Sequence, residues 1–300
     1  MKKKPAWLAY LKRGLRQGSW PALQRFVVSK KVYDLPPVRL HTNSDTCVHV
    51  CLCEAHVTML HWMLRSLIRH AEAPFRVIIH DDGSCSEKTR AGLMQKFEGL
   101  EFITRSEARK RVPPLLKNYP LLREWWPTNE GSINVKWLDA YLLGDSQIIL
   151  LLDPDVLFFT NPGDLFEVNS RTLWMKDVCY MLEIAPEESV RLFGGHPLPP
   201  LNTGVGRIER CRFSLELAER VLRRLQKPRD DMTLHAVITA QGNDFSLLPP
   251  SYALATELGL NGIIAKHYTN PYRFWFFEEG VPRVARDLGL PLSRWLRERA

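Results

Sequence analysis

Five aliphatic residues in a row, Ile148-Ile149-Leu150-Leu151-Leu152, end abruptly in Asp153-Pro154-Asp155, and a second apolar run, Val156-Leu157-Phe158-Phe159, follows. An unbroken run of this kind reads as a strand buried on both faces, as in the inner strands of a parallel sheet covered by helices. Two acids set between apolar runs are costly unless something cationic compensates them. Hard divalent cations take carboxylate oxygens, and Mg²⁺ or Mn²⁺ uses one or two of them together with substrate phosphates. Asp153 and Asp155 are therefore the first candidate metal ligands. The plainer alternative is a strand-ending turn built on Pro154.

The preceding residues alternate in the way such a sheet requires. Cys47–Cys53 is an apolar strand run, Met59–Ile68 has helical periodicity, and Phe75–His80 is a second strand. Glu87–Phe97 is a second helix and Glu101–Thr104 a third strand. Short strands alternating with helices of about a dozen residues predict an α/β fold with a mostly parallel sheet. Val112–Glu130, with its proline breaks, reads as the longest irregular stretch. Cys47, His49, Cys51 and Cys53 share one face of their strand, but metal sites gather thiolates from turns, so these read as small core residues. His80-Asp81-Asp82-Gly83-Ser84 closes the second strand at the end where open α/β sheets bind ligands, with Ser84 placed to cap the next helix.

Charge argues against nucleic acid. The chain carries 41 Lys and Arg against 33 Asp and Glu, net +8. Ten of the basic residues and one acid lie within residues 1–39, leaving 31 basic and 32 acidic side chains in residues 40–300. The body is neutral, and the basicity belongs to an arm. Trp7, Leu8, Leu11 and Leu15 recur there at helical spacing among Lys12, Arg13 and Arg16. Such a basic amphipathic helix docks on an anionic membrane or packs on the body. Ala6–Leu11 is too short for the core of a secretion signal, and six cysteines in a chain of 300 residues then read as thiols. The expected location is cytoplasmic, with residues 1–39 as a peripheral contact to the inner membrane surface.

Asp-x-Asp after a hydrophobic strand, preceded by a strand ending in Asp-Asp-Gly-Ser, resembles the GT-A glycosyltransferases that use nucleotide sugars. The later motifs resemble the glycogenin-like, family 8 branch, while Asp-Asp-Gly-Ser is similar to family 2. Lys136 in Asn134-Val135-Lys136-Trp137-Leu138 lies upstream of Asp153 near the spacing of that branch. Leu201-Asn202-Thr203-Gly204-Val205 resembles its donor-sugar segment, and Asp230-Asp231-Met232 the start of its acceptor-side helix. His267-Tyr268-Thr269-Asn270-Pro271-Tyr272-Arg273-Phe274-Trp275 keeps the spacing of its His-x-x-Gly-x-x-Lys-Pro-Trp, with Asn270, Arg273 and Phe274 replacing Gly, Lys and Pro.

The resemblance implies a GT-A (Rossmann-like) fold divided into an arm at 1–46, a nucleotide-binding half at 47–165, a donor and acceptor half at 166–279 and a helical tail at 280–300. It implies transfer of a hexose from a nucleotide-diphosphate sugar, a UDP-sugar first, to a glycan or lipid-linked acceptor hydroxyl, as in polysaccharide biosynthesis, and it tilts towards retention. Cys53, Glu54 and Asp82 would hold the nucleoside. Asp153, Asp155 and His267 would bind Mn²⁺ or Mg²⁺, and Lys136 and Arg273 would add positive charge at the diphosphate. Asn202, Asp230 and Asp231 would orient donor and acceptor. Inversion would instead need a base such as Asp177, Glu183, Asp230 or Asp231. An aspartate-nucleophile phosphatase, a sugar-nucleotide-forming nucleotidyltransferase and an inactive binder with this fold are the alternatives.

Overall fold

A computed structural model describes residues 31–128, 132–167, 171–225, 231–241 and 244–290. The amphipathic segment expected within residues 1–30 lies outside them, as do residues 291–300 of the expected tail. In chain order the elements are β1 (Val38–Arg39), β2 (Thr46–Leu52), α1 (Val57–His70), β3 (Arg76–Asp81), α2 (Glu87–Lys96), β4 (Phe97–Glu98) and β5 (Glu101–Ile103). Then come α3 (Arg105–Leu115), α4 (Pro120–Thr128), α5 (Ser132–Leu143), β6 (Ile148–Leu152), β7 (Val156–Phe158), β8 (Thr172–Lys176) and α6 (Pro186–Phe193). The chain continues through β9 (Leu201–Glu209), α7 (Leu215–Leu225), α8 (Asp231–Ala240), β10 (Phe245–Leu247), β11 (Tyr252–Leu254), β12 (Ala265–His267) and α9 (Val281–Asp287).

A seven-stranded sheet in the order β10-β8-β9-β6-β2-β3-β5 forms the centre. Its pairs are parallel except where β9 meets β6 and β8. The apolar run that singled out β6 is buried on both faces. Leu150 and Leu152 join Val48, Val50, Val77 and Ile79 beneath the Leu60, Met63, Leu64 and Leu67 stripe of α1. Ile149 and Leu151 face the opposite way, onto Trp125, Trp126, Leu138 and Tyr141. Period-two alternation thus feeds two separate cores.

Two expectations are corrected. Within the stretch Val112–Glu130, the described residues, up to Thr128, are largely helical. Thr104 and Glu107 form a capping box at the start of α3, with Glu107 N donating to Thr104 Oγ1 and Thr104 N to Glu107 Oε2. Pro113 and Pro114 fall in the last turn of that helix, where full burial of Val112 and Leu116 offsets their cost. Pro120 opens α4 in the position that best tolerates it. Its first amides, Leu121 N and Leu122 N, donate to the carboxylate of Glu219 on α7 at 3.0 and 2.9 Å. The second correction concerns the cap of α2, which is Ser86 rather than Ser84. Ser84 turns back instead, donating to Asp82 Oδ1 and accepting from Glu54 N.

Residues 31–40 lie against the body. Val32 is fully buried beside Met59 and Trp62, Arg65 donates to the Pro36 carbonyl, and β1 pairs with β4. Among the described residues, no helix is long and apolar enough to cross a membrane.

Candidate active site at the carboxyl end of the sheet

The strand ends bring distant parts of the sequence together. β6 stops at Leu152, and β9 runs antiparallel to it with Val205 opposite Leu152. The first residues of β9, Asn202 to Gly204, therefore lie beside Asp153, whose amide donates to the Gly204 carbonyl at 2.9 Å. β7 leaves the Asp-Pro-Asp turn and pairs antiparallel with β12, setting His267 opposite Val156. Tyr268 N donates to the Asp155 carbonyl at 2.9 Å, which fixes that register. The result is one cavity of about 510 Å³ whose wall includes Cys53, Lys136, Asp153, Asp155, Asn202, His267 and Arg273.

Asp153 and Asp155 each have one oxygen held by a cation. Lys136 Nζ donates to Asp153 Oδ1 at 2.8 Å and to the Thr203 carbonyl. The Arg273 guanidinium donates to Asp155 Oδ2 through Nε at 2.8 Å and lies 2.7 Å from it through a terminal nitrogen. The other oxygens, Asp153 Oδ2 and Asp155 Oδ1, face His267 Nε2 at 3.5 and 3.2 Å. Burial alone would push the Asp155 carboxyl up, but His267 and Arg273 outweigh it and hold it well below the usual carboxylate range.

Asp153, Asp155 and His267 offer ligand atoms that all lie within 4.8 Å of one another, the one such group among the described residues. Two carboxylate oxygens and an imidazole nitrogen suit Mn²⁺ or Mg²⁺. An imidazole lone pair facing two carboxylates is repulsive without a proton or a cation between them. Lys136 and Arg273 hold the outer oxygens, Asp153 Oδ1 and Asp155 Oδ2, and steady the acids from outside the three donors. The donor set fits a divalent ion.

Gly204 makes this geometry accessible. A Cβ at that position would overlap the His267 ring. Two residues along the same face of β9, a Cβ at Gly206 would overlap the ring of Trp174, which is fully buried and donates to Thr239 Oγ1 at 2.8 Å. The alternation Asn202-x-Gly204-x-Gly206 is the sequence signal for this face, and sequence reasoning did not exploit it. Nor did it give Asp177 a partner: its Oδ2 accepts from Asn202 Nδ2 at 2.9 Å.

Other sequence candidates are placed elsewhere. Glu54 lies outside the cavity wall and spends its carboxylate on α2, accepting from Ser86 N and Thr89 Oγ1 at 2.9 and 2.6 Å. Asp82 also lies outside that wall, with Oδ1 bound to the amide and hydroxyl of Ser84. Cys53 does line the cavity, where burial and then Asp82 raise its thiol. His56 joins the wall unforeseen, pushed down by burial and then by Arg273. Asp231 is the first residue of α8, and Asp230 lies outside the described residues. Cys47, His49 and Cys51 are buried in β2, with His49 Nδ1 2.9 Å from His80 Nε2.

No protein-family model matches the chain, and no curated protein matches it in sequence. Solved structures do. The galactosyltransferase LgtC, in complex with donor and acceptor sugar analogues, superimposes with a TM-score of 0.56 at 13% identity, covering 85% of this chain and 100% of LgtC. The bifunctional glycosyltransferase WbbM gives 0.57 at 11% identity over 86% of this chain and 52% of its own. Mouse xyloside xylosyltransferase 1 gives 0.51 at 12% identity over 78% and 99%. With its mixed seven-stranded sheet and an acidic strand end beside the antiparallel strand, this chain has the GT-A glycosyltransferase fold.

Proposed function

We propose that the protein is a metal-dependent glycosyltransferase that moves a hexose from a nucleotide-diphosphate sugar, a UDP-sugar first, to an acceptor hydroxyl on a glycan or lipid-linked sugar. One observation carries this: in a GT-A fold, Asp153, Asp155 and His267 converge at the end of β6 with the outer oxygen of each acid held by a cation. Asp153, Asp155 and His267 would hold Mn²⁺ or Mg²⁺. When bound, that ion supplies Lewis-acid charge where a departing diphosphate becomes more negative.

The chain's own groups do the rest. Lys136 and Arg273 keep the two carboxylates oriented and place fixed positive charge beside the same space, preorganised rather than recruited during reaction. Cys53 and His56 form the wall towards β2, where the nucleoside would lie, and Asp177, Val178, Cys179 and Met181 line another part of the cavity, where the acceptor would lie. Glu54 and Asp82 would act at one remove, by holding the turns around Cys53 and Ser84. Retention of configuration, which the family resemblance implies, is part of the proposal.

Thermal shifts with UDP, GDP, CMP and dTDP, each with and without Mn²⁺, test the class and the base together. The expected result is stabilisation by one nucleoside diphosphate only when the metal is present. Asp155→Asn should abolish metal-dependent donor turnover while its circular dichroism stays that of the parent. Full turnover in that variant, or no shift with any nucleotide, sinks the proposal.

A further inference from the structure

Asn202 stands between three groups, and their chemistry fixes its orientation. Its Nδ2 donates to Asp177 Oδ2 at 2.9 Å, and its Oδ1 accepts from Gly204 N at 2.9 Å. A carboxylate oxygen accepts and a backbone amide can only donate, so the side-chain amide cannot be turned over without losing both bonds. Asn202 Oδ1 also lies 2.9 Å from His267 Nδ1. A carbonyl oxygen is only an acceptor, so Nδ1 must carry a hydrogen. In the neutral ring this leaves the lone pair on Nε2, the nitrogen that faces Asp153 Oδ2 and Asp155 Oδ1. Asp177 is itself anchored, since its Oδ1 accepts from Cys179 N at 3.2 Å. All three side chains are more than nine-tenths buried.

We infer that Asp177 and Asn202 are positioning residues that lock His267 in its Nδ1–H tautomer, so that Nε2 is presented with Asp153 and Asp155 to a divalent cation. The relay runs from the Asp177 carboxylate through the Asn202 amide to the imidazole. It gives Asn202 a role different from the donor-sugar contact that the sequence resemblance implies. Partners behind a metal-ligating histidine fix its tautomer and ring orientation, and removing them typically costs about 10–100-fold in metal affinity. The inference rests on the proposed metal site, and its test is built to separate the two.

Mn²⁺ binding, read from the electron paramagnetic resonance of the free ion with and without UDP, should weaken about 10–100-fold in Asn202→Ala. Asp177→Asn and Asn202→Asp should each weaken it about tenfold, because each single change puts two like groups face to face or strips a bond from Cys179 N. The exchanged pair, Asp177→Asn with Asn202→Asp, restores every donor and acceptor with the charge moved one residue along the relay. It should bind Mn²⁺ within about threefold of the parent. Nitrogen-15 spectra of histidine-labelled parent protein, recorded with Mg²⁺ and, without it, at a pH high enough for the ring to be neutral, should show a hydrogen on His267 Nδ1 and none on Nε2.

A bare Nδ1 overturns the relay, as does an exchanged pair that binds no better than Asn202→Asp. Asn202→Ala binding within twofold of the parent overturns it too. Should Asn202→Ala not fold, the exchanged pair and the parent spectrum decide. Should the parent bind no Mn²⁺ under either condition, the metal proposal fails, and the spectrum alone decides the relay.

Discussion

At residue 204 the difference between a hydrogen and a methyl group determines where an imidazole can lie. A Cβ there would meet Nδ1, Cε1 and Cγ of His267, all within a buried contact that has no room to give. Gly204→Ala is therefore expected to displace the ring, costing about 1–3 kcal/mol of stability by overpacking and lowering Mn²⁺ affinity at least about tenfold. In a His267→Ala background the stability cost should vanish, because the methyl group then has a cavity to enter. Chemical denaturation of the four proteins in that cycle measures it, and equal costs in both backgrounds would remove the argument. Much at this scale was legible in sequence. Asp153 and Asp155 stood out because acids between apolar runs need compensation, and Lys136, His267 and Arg273 were implied by the family resemblance. Asn202's bond to His267 was not legible, because it depends on which strand runs antiparallel beside β6. The Arg273–Asp155 contact spans 118 residues of sequence and exists only through the β7–β12 pairing.

At the scale of elements, the inner strands could be read directly, since β6 is a continuous apolar run and β2 and β3 are built around short ones. The helices α3 and α4 were harder. Prolines at 113, 114 and 120 argued for a break, and the Thr104-Arg105-Ser106-Glu107 capping box that starts α3 went unread. Tertiary burial decided the matter: Leu122, Trp125 and Trp126 are buried, and Trp126 Nε1 donates to Asp139 on α5 at 2.8 Å. Arg105 lies over the Trp126 ring and pairs with the same Asp139 at 3.5 Å. The start of α4 depends on a carboxylate from another helix, so the element does not stand alone. Glu219→Ala should leave the Leu121 and Leu122 amides without that acceptor and cost about 2 kcal/mol. Glu219→Gln, which keeps one acceptor oxygen, should cost less. If urea unfolding gives equal stabilities for parent and Glu219→Ala, the cap contributes nothing.

At the scale of the whole molecule, two distributions of charge set behaviour. Residues 1–30 hold eight Lys or Arg and no acid, so 33 basic and 33 acidic side chains remain in residues 31–300. The entire +8 therefore precedes Lys31. The peripheral membrane contact expected of this arm is tested by deleting residues 1–30, which should remove binding to anionic vesicles while leaving nucleotide-dependent thermal shifts unchanged; no vesicle binding by the parent, or binding that survives the deletion, rules that contact out.

The second distribution is buried. Burial, with help from neighbouring positive groups, pushes His49 and His235 well below the ordinary value, and His61 and His80 down to about 3. The unfolded chain takes up protons on these rings from pH 6.5 downward and the folded chain does not. Their contribution to stability is thus full above 6.5 and is lost as pH falls, for His61 and His80 down to about 3. Linkage puts the loss near 2 kcal/mol at pH 5 for each of His61 and His80, against a typical total of about 5–15 kcal/mol. Asp139, raised to about 6 by burial against the pull of Trp126 and Arg105, acts in the opposite sense between about 4 and 6, but it is one group against four. The urea midpoint should fall sharply between pH 7.5 and pH 5, and equal midpoints would contradict this account.

The spacing Asn202, Gly204, Gly206 along β9 also bears on how this chain varies through descent. His267 and Trp174 each fill space that a glycine vacates, so the glycine of each pair is not free to change before its ring does. A side chain arriving at 204 while the imidazole is present, or at 206 while the indole is present, is selected against at once. Across related sequences the two pairs should covary, 204 with 267 and 206 with 174. Lineages that have lost the histidine are the ones in which a larger residue at 204 should be found.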